Sequence, residues 1–121
     1  MKNVKIDGCS IIIDGEKVFE RDNFYRSVIE TVCNNQDVAA WIYRYSYSSR
    51  SGGQNINYYI FYIKEEMEEP KEISILGTNT ERMSFNRMGL EISDGTKEII
   101  VFTTDNKGGD KRIIRRIDYN D

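Results

Sequence analysis

Residues 38–48 alternate so regularly that they dictate much of what this chain can become. Trp41, Tyr43, Tyr45 and Tyr47 take every second place, with Ile42, Arg44, Ser46 and Ser48 between them. Side chains along a strand point to opposite faces in turn, so the pattern predicts one long strand. The polar run Ser49-Arg50-Ser51-Gly52-Gly53-Gln54 turns the chain back, and residues 55–64 return with Tyr58, Tyr59, Phe61 and Tyr62. Together the two runs predict a broad hairpin joined by cross-strand aromatic pairs.

Shorter strands surround it. Residues 10–13 and 17–20 flank Asp14-Gly15, a strong hairpin signal. Further strands are expected at residues 4–6, 72–76, 82–85, 90–92, 97–104 and 111–119, with turns at Asp94-Gly95 and at residues 105–109. One helix is expected over residues 21–35, capped by Asp22, because Phe24, Tyr25, Val28, Ile29, Val32 and Cys33 recur at helical spacing. The tryptophan–tyrosine stripe would lie beneath that helix as core. The fold class is therefore α+β: a predominantly antiparallel sheet with one main amphipathic helix, in a single domain over residues 1–121. With 17 isoleucines and 8 tyrosines, the composition favours strands.

The chemistry is bounded by what is missing. There is no histidine, so neither Ser-His-Asp nor Cys-His catalysis can be built. Cys9 and Cys33 are far apart, which excludes a CxxC redox pair and a four-cysteine zinc site. No signal peptide or membrane span is visible, so a reducing cytoplasm is the expected compartment. A net charge of −3 argues against a general nucleic-acid binder. These points predict a binding protein rather than an enzyme, with no cofactor and no metal.

Charge is unevenly placed. Glu65, Glu66, Glu68, Glu69 and Glu72 stand against Lys64 and Lys71, whereas Lys107, Lys111, Arg112, Arg115 and Arg116 stand against Asp110 alone. On a regular last strand, Arg112, Ile114, Arg116 and Asp118 would share one face. A planar guanidinium grips phosphate through two parallel charged hydrogen bonds, and an aspartate can accept from ribose hydroxyls. The same stripe also fits a solvated face closed by an exposed ion pair. Phe85, alone in a polar run, fits a stacking platform or an edge-strand anchor, and Phe19 is equally open. The aromatic hairpin could stack RNA bases, and the acidic segment could face a basic protein surface.

The pattern Arg112-x-x-x-Arg116-x-Asp118, 27 residues after Phe85, resembles the small phage proteins that inhibit the Thoeris defence by sequestering cyclic ADP-ribose signals. The resemblance implies a β-rich homo-oligomer holding a small cyclic nucleotide where protomers meet. It implies Phe85 stacked on adenine, Arg112 and Arg116 on the pyrophosphate, Asp118 on ribose, and Phe19 where the family carries an aromatic residue. In place of a family asparagine beyond the phenylalanine this chain has Asp94-Gly95. A phage or prophage inhibitor acting by protein–protein contact, anti-CRISPR or immunity-like, is the alternative.

Overall fold

The long hairpin forms as its alternation demands. Val38–Ser48 pairs antiparallel with Gln54–Lys64 along the full length of both, from Val38 opposite Lys64 to Ser48 opposite Gln54. The computed structural model describes residues 3–21, 28–48, 54–79, 87–104 and 109–120. Its strands are β1 (Val4–Asp7), β2 (Ser10–Ile13), β3 (Glu16–Glu20), β4 (Val28–Asn34), β5 (Val38–Ser48), β6 (Gln54–Lys64), β7 (Lys71–Asn79), β8 (Arg87–Ser93), β9 (Glu98–Thr104) and β10 (Lys111–Asp118). They form three antiparallel sheets, ordered β1-β2-β3, β4-β5-β6-β7 and β10-β9-β8.

The four-stranded sheet is covered on both faces. Val38, Ala40, Ile42, Tyr58, Ile60 and Tyr62 pack against Met88, Leu90, Ile99, Val101, Ile117 and Tyr119 of the β8–β10 sheet. Ala39, Trp41, Phe61 and Ile63, on the opposite face, pack with Ile29 against Ile11, Ile13 and Phe19 of the N-terminal sheet. Each fully buried isoleucine contributes about 1.5–3 kcal/mol. Trp41 lies 6.1 Å from Phe61 in a stacked pair and 5.3 Å from Phe19 in an edge contact. Its enclosed indole N–H meets no acceptor among the described residues, a cost of about 1–3 kcal/mol that the surrounding ring contacts offset.

No helix occurs among the described residues, and the α+β expectation is corrected to all-β. The segment expected to be helical contains β4, paired with β5. Asp22, Phe24 and Tyr25 lie outside the described residues. The error has a physical source. β4 carries a bulge, so Ile29 faces Tyr43 and Val32 faces Trp41 with Glu30 as the extra residue. Two residues three apart thereby reach the same core, which imitates helical spacing. Val28, Ile29, Thr31 and Val32 are β-branched and favour the extended form. Of the expected core stripe, Trp41 is fully buried and Tyr43 packs partly against the same cluster, and a sheet rather than a helix covers them. The turn residues 49–53, the strand expected at 82–85 and most of the 105–109 turn also lie outside the described residues.

Tight turns behave as the sequence indicates. Asp14 and Gly15 both adopt positive φ, 49° and 84°, the conformation a two-residue hairpin turn needs. Asn35 ties two sheets together at one corner. Its side-chain oxygen accepts from the Asp37 and Val38 N–H groups, while Nδ2 donates to Asp94 Oδ1 at 2.7 Å and to the Tyr119 hydroxyl at 3.3 Å. No helix of the described residues is long and apolar enough to cross a membrane.

On the outer face of the β8–β10 sheet, the Phe102 ring lies across Gly89. A Cβ there would collide with the ring. Gly89→Ala must push the ring off the sheet and is expected to cost about 1–3 kcal/mol in urea denaturation. In a Phe102→Ala background the same substitution should cost little. An equal cost in both backgrounds would place the strain elsewhere.

Candidate functional site

Among the described residues β10 ends its sheet, with β9 on one side only. Residues 111–116 are all exposed, and only Ile117 turns fully into the core. Ile113 and Ile114 remain 47% and 43% exposed, which is unusual for neighbouring isoleucines. A bulge between Ile113 and Arg115 sets the chemistry of the strand. Before it, Arg112 pairs with Thr103 and Ile113 with Phe102. After it, Arg115 pairs with Val101, Arg116 with Ile100 and Asp118 with Glu98.

Paired residues share a face, so the bulge divides the arginines differently from a regular strand. Arg112 and Arg115 take the inner register with Thr103 and Val101, at the open margin of the sheet. Lys111, Ile113, Arg116 and Asp118 take the outer register. Arg112 and Arg116 therefore face opposite ways, and Arg115, which sequence reasoning assigned to the other face, joins Arg112. The trace in the sequence is the doublet of isoleucines followed by a doublet of arginines, which breaks period-two alternation.

Local partners absorb much of the outer face. Lys111 is ion-paired with Glu91, and its ammonium lies 4.5 Å from the Phe102 ring centroid. Arg116 Nη1 sits 3.3 Å from Glu98 Oε1. Asp118 Oδ1 accepts the Asn120 N–H at 2.8 Å and so shapes the turn after the strand. Arg112 has no ion-pair partner among the described residues. Arg112 shares the inner register with Arg115.

The remaining expected site residues do not join them. Phe19 is 5% exposed, locked among Trp41, Tyr43 and Phe61 in the core between the N-terminal and central sheets, so its ring has no face free for a base. Arg21 covers this cluster from outside, with its guanidinium carbon 4.6 Å from the Phe19 ring centroid. Phe85 lies outside the described residues. Phe102 is half-buried beside β10.

Two other polar clusters are built from charges already matched. A cavity of about 190 Å³ at the Asn35 corner is lined by Asp37, Lys64, Glu65, Glu66, Lys97, Tyr119 and Asn120. Lys97 pairs with Asp37 at 3.7 Å and Lys64 with Glu66 at 3.4 Å. Between β4 and β5, Arg44 meets Glu30 at 3.5 Å, beside the buried Tyr58. Among the described residues no group of three or more carboxylates and thiols gathers to hold a metal ion.

Burial pushes the Cys33 thiol up to about 12, with the Glu91 carboxylate adding to the effect. Burial and Glu30 raise the Tyr58 phenol, against the opposing influence of Arg44. Both groups stay protonated in the fold at a pH where the unfolded chain has released the proton. The thiol's contribution is complete below its ordinary value of 9.0 and is lost as pH rises toward 12, and the phenol's declines above its ordinary value of 10.0. Urea stability should therefore fall above the lower of these values by up to about 1.4 kcal/mol per pH unit for each group. Cys33→Ala should flatten this decline and leave the Tyr58 part. An unchanged slope would show that the thiol ionises freely in the fold.

No protein-family model, curated protein or solved structure matches the chain, so the reading of its function rests on β10 and its surroundings.

Proposed function

We propose that this chain is a non-catalytic binding protein that sequesters a compact phosphate-bearing nucleotide of the cyclic ADP-ribose class. The observation that supports the reading is the pairing of Arg112 and Arg115 on one face of an exposed edge strand. Same-face neighbours along a strand stand about 7 Å apart. Guanidinium groups at that spacing can converge on the two phosphoryl groups of one pyrophosphate. The role implied for Arg116 by the family resemblance passes to Arg115, which shares the face of Arg112 whereas Arg116 does not. Phe19 has no part in the contact, and Asp118 contributes by fixing the turn beyond the strand.

Magnitudes are compatible with capture. Charged hydrogen bonds contribute about 1.5–3 kcal/mol each. Two guanidinium groups making two such bonds apiece therefore contribute about 6–12 kcal/mol before ordering costs, against about 8 kcal/mol for micromolar affinity. Exposure of the pair in a single copy means that water competes. Closure by a second protomer, in the homo-oligomer that the resemblance implies, would exclude that water. The host cytoplasm, where such signals circulate, is the compartment that goes with this reading. In the alternative reading, a protein-binding inhibitor, the working surface is the acidic turn, where Glu65, Glu66, Glu68, Glu69 and Glu72 are all exposed.

Isothermal calorimetry with cyclic ADP-ribose isomers provides the test. Arg112→Ala and Arg115→Ala should each weaken binding by about tenfold or more, about 1.4 kcal/mol, without lowering the melting temperature. Arg116→Ala should weaken it less. Ligand released by heat should be recovered intact, and native mass spectrometry should show the subunit number together with the trapped mass. Absence of binding to every isomer defeats the proposal. Loss of biological activity on neutralising Glu65 to Glu69, with Arg112→Ala silent, transfers the function to the acidic turn.

A further inference from the structure

We infer that Met67 is a site of reversible oxidation by hydroperoxide, and that its sulfoxide releases the acidic turn between β6 and β7 from the core. The inference involves neither β10 nor the nucleotide reading.

Between β6 and β7 the chain reads Glu65-Glu66-Met67-Glu68-Glu69-Pro70. The four glutamates are exposed, and Met67 in their midst is partly buried. Its side chain packs against both core clusters, one on each face of the central sheet. An unbranched, polarisable thioether suits such a seam, because it bends to fill irregular gaps. The Met67 N–H donates to the Lys64 carbonyl at 3.0 Å, and the Lys64 N–H points at Sδ from 3.5 Å. One apolar side chain thus seats a turn whose acids all face water.

The other described sulfur atoms are poorer targets. Cys9 is buried, and the Cys33 thiol, pushed up to about 12, carries no thiolate at neutral pH. Met88 lies in the core and is 9% exposed. Met1 and Met83 lie outside the described residues.

The reaction balances with hydrogen peroxide as the oxidant. A sulfur lone pair attacks one peroxide oxygen, so an S–O bond forms as the O–O bond breaks. The displaced hydroxide takes the remaining proton and leaves as water. Sulfur gives up two electrons and the peroxide gains them. A dithiol reverses the change, with the oxygen leaving as water and the two thiols joining as a disulfide. The sulfoxide is polar and chiral, and it cannot keep its water while lying against two apolar cores. Met67 then leaves its seat and the four glutamates move with it.

The test titrates hydrogen peroxide into the full chain, with peptide mass mapping at each step. Met67 should take up one oxygen before Met88 does. The melting temperature should fall by about 4 °C or more at full occupancy, in proportion to oxidation at Met67. Amide exchange should rise across residues 64–69 over the same range. Methionine sulfoxide reductase with a dithiol should restore both readings. Met67→Leu keeps an apolar side chain of similar volume, so it should fold and lose the response. Oxidation of Met88 ahead of Met67, full oxidation of Met67 with unchanged melting temperature and exchange, or an equal response in Met67→Leu overturns the inference. Should Met67→Leu fail to fold, the occupancy series in the native chain decides alone.

Discussion

Every other feature of the molecule is arranged around a strand pair that is buried on both sides. From Val38 to Ile42, β5 has no solvent-exposed surface at all. A strand in that position cannot alternate between apolar and polar residues. It needs apolar side chains at every place, and Val38-Ala39-Ala40-Trp41-Ile42 supplies them. The two alanines are part of the solution. Ala40 stands opposite Tyr62 on one face and Ala39 opposite Ile63 on the other, so a small side chain meets a large one toward each neighbouring sheet. Removing either outer sheet would expose half of this ribbon, which is why three small sheets hold together as one core system.

How much of this was legible in the sequence depends on whether a strand was regular. β5 and β6 are paired without interruption, and the sequence placed β5 to the residue and β6 to within one. The hairpin at Asp14-Gly15 was legible for a similar reason, since positive φ at both positions restricts the residue types that tolerate it. β4 failed because its bulge changed the period of the side chains. Ile29 and Val32 reach one core at a separation of three, and Cys33 reaches the opposite core. Periodicity alone cannot distinguish that from a helix turn. The β-branched residues contained the contrary signal, and it was outweighed by the spacing.

A bulge also governs what was legible at the candidate site. The sequence located the strand and its basic character. It could not assign faces, because a single extra residue inverts every assignment beyond it. Arg112 and Arg116 were separated, and Arg115 was substituted for Arg116, by the irregularity at Ile113–Arg115. Phe19 was ambiguous in the sequence for a different reason. An aromatic residue after a hairpin turn faces either solvent or core, and the choice depends on whether another sheet lies against it. Here Trp41 and Phe61 lie against it, and the ring is enclosed.

The outer strand then raises the question of why cations and bare isoleucines occur together on one edge. Lysines and arginines on an edge strand discourage copies of a protein from adding to one another, so charge alone is explained by solubility. That account predicts polar neighbours, since an exposed apolar pair defeats the protection that the charges provide. Ile113 and Ile114 are the residues it leaves unexplained. Nor does the bulge account for them, because a threonine or serine doublet would also fit an exposed irregularity. Glu91 and Glu98 tie two of the cations into the sheet while the isoleucines stay bare, so on this edge it is the apolar pair, and not the charge, that solubility fails to explain.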